Sequence, residues 1–143
     1  MTQPFSLLTL GVQDVQRAAA FYEQVGFERP PGPDGLLLLR TVGTVIALHP
    51  WGALADDTTL EAIDVGRALR FRGVTMASNQ PSRADVDAAF ARWVAAGGTP
   101  VKEPAEVFWG GYSSYVTDLD GHLWELAHNP FQTFEPDGSV TLH

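Results

Sequence analysis

The chain contains no cysteine. Disulfides, thiolate nucleophiles and cysteine metal ligands are therefore excluded. No apolar run is long enough for a membrane span, and no charged-then-apolar leader pattern is present. Basic residues are scarce, with Lys+Arg 9 against Asp+Glu 17 and a net charge of −8. That balance argues against nucleic acid, because binding phosphates needs basic patches. It suits a soluble cytoplasmic protein and would also suit a cationic ligand. What the chain does have is apolar content. It is 143 residues long and 45% hydrophobic, enough for one domain or two small repeats fused into one.

Residues 5–12 read as a mostly buried strand. Asp14 is placed to accept the free N–H groups of a following first helical turn. Val15, Ala18, Ala19, Tyr22 and Val25 recur at helical spacing, and Gly26 fits just past the end. Residues 30–35 are rich in proline and glycine and must form a loop. Residues 36–40 and 44–49 read as a hairpin around Val42-Gly43, with a short strand expected near Phe27.

The second half repeats this order. Residues 73–80 read as a strand, and Ser82 with Asp85 makes a variant capping box. Val86, Ala89, Phe90, Trp93 and Val94 supply the next apolar stripe, which Gly97-Gly98 ends. Residues 99–101 form a short strand, and a hairpin closes the repeat. Two like halves fix an architecture better than any single element. The boundaries are repeat one at about 5–50, a connector at about 51–72 with one turn or an edge strand, repeat two at about 73–131, and a tail at 132–143 with a Pro136-Asp137-Gly138 turn. The fold class is α+β, with two βαβββ repeats forming a mixed curved sheet around a concave cleft.

The closing hairpin runs from Gly110 to Leu126 around Asp118-Leu119-Asp120-Gly121. A turn centred there sets Ser114 opposite Glu125 and Tyr115 opposite Trp124. Alternation then groups Tyr112, Ser114 and Glu125 on a chemical face. Tyr115, Trp124 and Leu126 fall on an apolar face suited to lying under a helix.

These motifs resemble the vicinal oxygen chelate superfamily of glyoxalases, extradiol dioxygenases and bleomycin-resistance proteins. The matching residues are Leu10-Gly11-Val12-Gln13-Asp14, Ala20-Phe21-Tyr22, Gly26-Phe27, Ala95-Ala96-Gly97-Gly98 and Asp118 to Leu126. The resemblance spans roughly residues 5–131. Enzymes of that family hold a divalent metal with four inward side chains, which map to Leu7, Ala47, Thr75 and Glu125. Leu7 and Ala47 cannot coordinate, and one carboxylate with one hydroxyl falls short of the usual three protein ligands. No cofactor is therefore expected. A displaced metal would use Glu125 and His49, which shares the inward face of Ala47.

Glu125 is the leading functional candidate, as general acid or base or as partner to a cationic ligand, with Tyr112 as a second proton donor. Trp109, before Gly110-Gly111, offers an indole face for stacking. The resemblance places such a Trp-Gly pair in the drug cleft of bleomycin-resistance proteins. Ser114, His49, Thr75, Asn79 and Trp51 complete the ligand-binding candidates. The expectation is a homodimer that binds a small organic molecule in its cleft without metal. The alternatives are a lyase, isomerase or dioxygenase using Glu125, and an interaction module whose cleft has closed.

Overall fold

β1 (Leu7–Val12) leads through Asp14 into α1 (Val15–Gln24), where the Asp14 carboxylate accepts the Arg17 backbone N–H at 3.0 Å. The computed structural model describes residues 3–32, 37–62 and 69–141. The chain divides into two compact units, Met1–Asp64 with Phe134–Ser139, and Val65–Thr133 with Val140–His143. Each unit carries one βαβββ module with a mixed sheet.

In the first unit the sheet order is β1-β3-β2, with β2 at Leu37–Arg40 and β3 at Val45–Pro50. β1 and β3 run parallel, while β2 and β3 form the expected antiparallel hairpin. Glu28 bridges to Arg40 beside β2, which places the short strand expected near Phe27. Of the loop expected at 30–35, residues 33–35 lie outside the described residues. Leu10, Val12, Leu37, Leu39, Ile46 and Leu48 are buried on one side of the sheet. α1 packs on β2 and β3 and buries Ala18, Ala19, Phe21 and Tyr22. The Tyr22 ring stands edge-on to Phe21 and Phe27, each at 5.4 Å between centroids.

The connector differs from expectation. Its first residues form α2 (Trp51–Thr58), which packs on β1 and β3. The local signals for this helix are weak. Pro50 stands at its N-cap and offers no side-chain cap, and Thr59 closes it in a left-handed conformation at φ 64, where glycine is usual. Tertiary packing supports it instead. A Cβ on Gly11 would lie 3.1 Å from Cε3 of Trp51, so the bare backbone of β1 admits the indole.

The second unit has the order β4-β7-β6-β5, with β4 (Met76–Asn79) parallel to β7 (Leu123–His128). β5 (Pro100–Glu106) and β6 (Tyr112–Thr117) complete it. β4 starts three residues later than expected, and β5 runs on to Glu106 rather than stopping at 101. Two register shifts, two prolines and exposed Lys102 and Glu103 blunt β5, which lies at one edge of the sheet. α3 (Arg83–Ala95) starts at Ser82, whose hydroxyl accepts the Asp85 N–H at 3.1 Å and donates to the Asp85 carboxylate at 2.6 Å. α3 packs on β6 and β7 and buries Val86, Ala89, Phe90 and Trp93. Val94, expected in the same stripe, is exposed. Trp93 and Trp124 meet at 5.4 Å between ring centroids. The tail makes its expected turn, with the Glu135 N–H donating to the Ser139 carbonyl at 2.9 Å. Among the described residues no helix is long and apolar enough to cross a membrane.

Candidate functional site

The closing hairpin has a three-residue loop. The Asp118 N–H donates to the His122 carbonyl at 3.0 Å, and Gly121 sits between them at φ 82. Asp118 Oδ1 accepts the N–H groups of Asp120 and His122, both at 2.9 Å. The Gly121 N–H also donates to the Asp118 carbonyl at 3.4 Å, so a left-handed glycine closes a standard three-residue hairpin loop. It adds one residue to the turn expected from the sequence. Tyr115 therefore pairs with Glu125, and Val116 pairs with Trp124. A slip of one residue moves every side chain of a strand to the other face.

The consequence is a different site. Ser113 and Tyr115, not Tyr112 and Ser114, share the face of Glu125. The Ser113 hydroxyl donates to Glu125 Oε2 at 2.8 Å, and the Tyr115 hydroxyl donates to the same oxygen at 3.1 Å. Oε1 accepts no hydrogen bond among the described residues, and the side chain is half-buried. Ala77 pairs with Glu125 from β4, and Ala127 follows it on the same face of β7. Small apolar side chains thus flank the carboxylate. Burial, followed by the charge and hydrogen bond of Glu125, holds the Tyr115 phenol above its ordinary pKa. Tyr115 therefore stays a donor throughout the neutral range.

Ser114 and Tyr112 lie on the face toward α3. Ser114 is fully buried and donates to the Leu126 carbonyl at 2.9 Å. Tyr112 donates to Asp87 of α3 at 2.7 Å, and this hydrogen bond is the main reason its phenol is held above the ordinary value. His128 shares that face and lies 3.1 Å from the Gln80 carbonyl, a structural contact. His122 is half-buried, with Nδ1 3.2 Å from Arg72. Arginine only donates, so Nδ1 accepts.

Thr75 is exposed and precedes β4. Asn79 pairs with Ala127 and shares the face of Ala77 by alternation. In the first unit, His49 pairs with Gly11 and shares the face of Ala47, as expected from alternation. Its Nε2 lies 3.4 Å from Asp57 of α2. Trp51 opens α2 over that same face. Arg40 pairs with exposed Glu28 at 3.6 Å. Among the described residues no three His, Cys, Asp or Glu cluster so as to hold a metal. The four family positions, two of them hydrocarbon, do not fit a divalent ion.

Trp109 lies in the loop between β5 and β6 and is 41% exposed. A Cβ on Gly111 would come within 2.0 Å of its Cη2, so the indole rests directly on the Gly111 backbone. The space over Gly111 is filled by Trp109 itself. Phe131 approaches Gly110 in the same way, 3.1 Å from a Cβ placed there.

Residues 5–126 match the model of the Glyoxalase/Bleomycin resistance protein/Dioxygenase superfamily. The chain belongs to this superfamily. It is 32% identical over 124 residues to an uncharacterized protein of Mycobacterium bovis, covering 82% of this chain and 78% of that protein. A crystal structure of a glyoxalase-related enzyme from Fulvimarina pelagi superposes with a TM-score of 0.86 at 30% identity, covering 99% of each chain. A glyoxalase/bleomycin resistance protein/dioxygenase family enzyme from Burkholderia phytofirmans shares the fold at 19% identity and a TM-score of 0.75, over 88% of this chain and 98% of that one.

Proposed function

We propose that this superfamily member binds a small organic molecule on the sheet face around Glu125, without the family's divalent metal. The observation that carries this reading is the state of the Glu125 carboxylate. One oxygen is committed to Ser113 and Tyr115, the other accepts no hydrogen bond, and no group of three His, Cys, Asp or Glu able to hold a metal forms among the described residues. A carboxylate held this way is a fixed acceptor for a ligand donor. Trp109, braced on Gly111 and partly exposed, is the stacking surface nearest in sequence to this hairpin.

A second reading is favoured by Tyr115. A phenol kept protonated beside a carboxylate is an acid–base pair of the kind a lyase or isomerase uses. The likeness to a glyoxalase-related enzyme supports it.

Elemental analysis of untagged protein, purified without chelator, tests the first reading. The expected result is no transition metal near one per chain, and none taken up on titration. Stoichiometric metal lost in Glu125→Gln would overturn it. A thermal-shift screen of metabolites and drugs, followed by turnover assays on the hits, separates binding from catalysis. Turnover abolished by Glu125→Gln would establish the enzyme.

A further inference from the structure

The metal-ligand positions and the Glu125 geometry point to opposite ligand chemistries. A divalent ion recruits ligands through their oxygen lone pairs. Here the corresponding strand positions include Leu7 and Ala47, which leaves Glu125 as the one carboxylate of the set. We infer that Glu125 selects a cationic N–H donor, a protonated amine or amidine, where metal-dependent relatives would take an oxygen-donor ligand. This rests on the metal-free reading above.

Four observations carry it. The two hydroxyl donors both reach Oε2, from Ser113 at 2.8 Å and Tyr115 at 3.1 Å, so the carboxylate orientation is set before a ligand arrives. Oε1 has no donor, and Glu125 has no Lys, Arg or His partner, among the described residues. Its nearest register partners, Ala77 in β4 and Tyr115 in β6, bring no positive charge. The chain as a whole carries −8, a net balance that favours cations over anions. A half-buried carboxylate oxygen without a donor gains most from a charged one. An incoming carboxylate or enolate would meet like charge and no compensating donor, since Ser113 and Tyr115 already spend theirs.

The test uses three probes of one shape, benzylammonium, benzyl alcohol and benzoate, titrated at fixed ionic strength into isotope-labelled protein. Amide shifts of Ala77, Ser113, Tyr115 and Glu125 report the site. Benzylammonium is expected to bind roughly tenfold or more tightly than benzyl alcohol, and benzoate not at all. Glu125→Gln, which keeps an oxygen acceptor for both hydroxyls, is expected to remove the preference. Glu103→Gln, the same charge change at an exposed position on β5, is expected to leave it intact. Equal binding of the three probes, binding of none, or stronger binding of benzoate overturns the inference on wild-type protein alone. A parallel titration with Mn2+ keeps the two readings apart. Paramagnetic broadening centred on Glu125 sinks the metal-free reading itself. No broadening together with no amine preference sinks only the choice of ligand.

Discussion

Tyr115 and Glu125 are direct register partners across β6 and β7, and the phenol donates to the carboxylate at 3.1 Å. The Asp118–His122 bond marks that pair as hydrogen-bonded. Strict alternation makes Tyr115–Glu125 a non-hydrogen-bonded pair, in which facing side chains stand closer. The phenol pKa is raised by burial first and by Glu125 second. A group held protonated by the fold adds stability below its unfolded pKa, and that stability is lost as pH rises through the raised value. Wild-type protein should therefore lose stability more steeply above about pH 10 than Tyr115→Phe does. Denaturant midpoints at a series of alkaline pH values measure the difference. In ultraviolet titration, Glu125→Gln should bring one phenol back toward its ordinary range. Identical curves for wild type and Glu125→Gln would mean the two side chains do not meet.

Trp109 and Gly111 make a second tight relationship. An alanine Cβ at 111 would sit inside the indole, 2.0 Å from Cη2. Gly111→Ala must swing the ring outward, at a cost of about 1–3 kcal/mol. The other three indoles are more buried than Trp109, with Trp93 at 2% and Trp124 at 4% exposure. The variant should thus show a red-shifted emission component and stronger acrylamide quenching. Unchanged emission would show that the ring does not rest on residue 111.

The parts of the fold read correctly from the residues are those with local causes. Helical stripes, the caps at Asp14 and Ser82 and the repeated order of strands are short-range patterns. α2 left only weak helical periodicity and no end signals, since Pro50 cannot cap through its side chain and Thr59 stands where a glycine would have signalled the end. Its support comes from the open backbone of Gly11, a contact between β1 and the start of α2. The site failed on one residue of loop length. Glu125 was legible as a carboxylate on the sheet face away from α3, but its partners were not. A four-residue turn and a three-residue loop both suit Asp-Leu-Asp-Gly, and they assign opposite faces to Ser113 and Ser114. The Asp118 side chain, accepting two backbone N–H groups of the loop, selects the observed form. Ser114 is fully enclosed, a tertiary consequence with no local signal in the residues around it.

The two modules should respond alike to loss of their helix caps. Asp14 accepts from Arg17 N at 3.0 Å, and Ser82 accepts from Asp85 N at 3.1 Å. Asp14→Ala and Ser82→Ala should each cost about 1 kcal/mol by denaturant unfolding. Asp14→Asn and Ser82→Thr, which retain the acceptor, should recover most of the loss. A cost below about 0.3 kcal/mol for either alanine variant would mean that water replaces that cap without penalty.

The register on which the site depends can be checked covalently, because the chain brings no cysteine of its own to confuse the result. Thr117 and Leu123 are partners one step before the loop. Alternation from the Asp118–His122 bond makes them a non-hydrogen-bonded pair, with Cα atoms about 4.5 Å apart. That separation lies at the near end of what a disulfide accepts, from about 4.4 Å upward. The double variant Thr117→Cys with Leu123→Cys should therefore cross-link almost completely under mild oxidation. Thr117→Cys with His122→Cys should not, since those side chains leave on opposite faces of the sheet. The four-residue turn predicts the reverse, because it makes Thr117 and His122 partners. Mass spectrometry of the oxidised proteins separates the two registers. Cross-linking of the 117–122 pair alone would return Ser114 to the face of Glu125 and remove Ser113 and Tyr115 from the site.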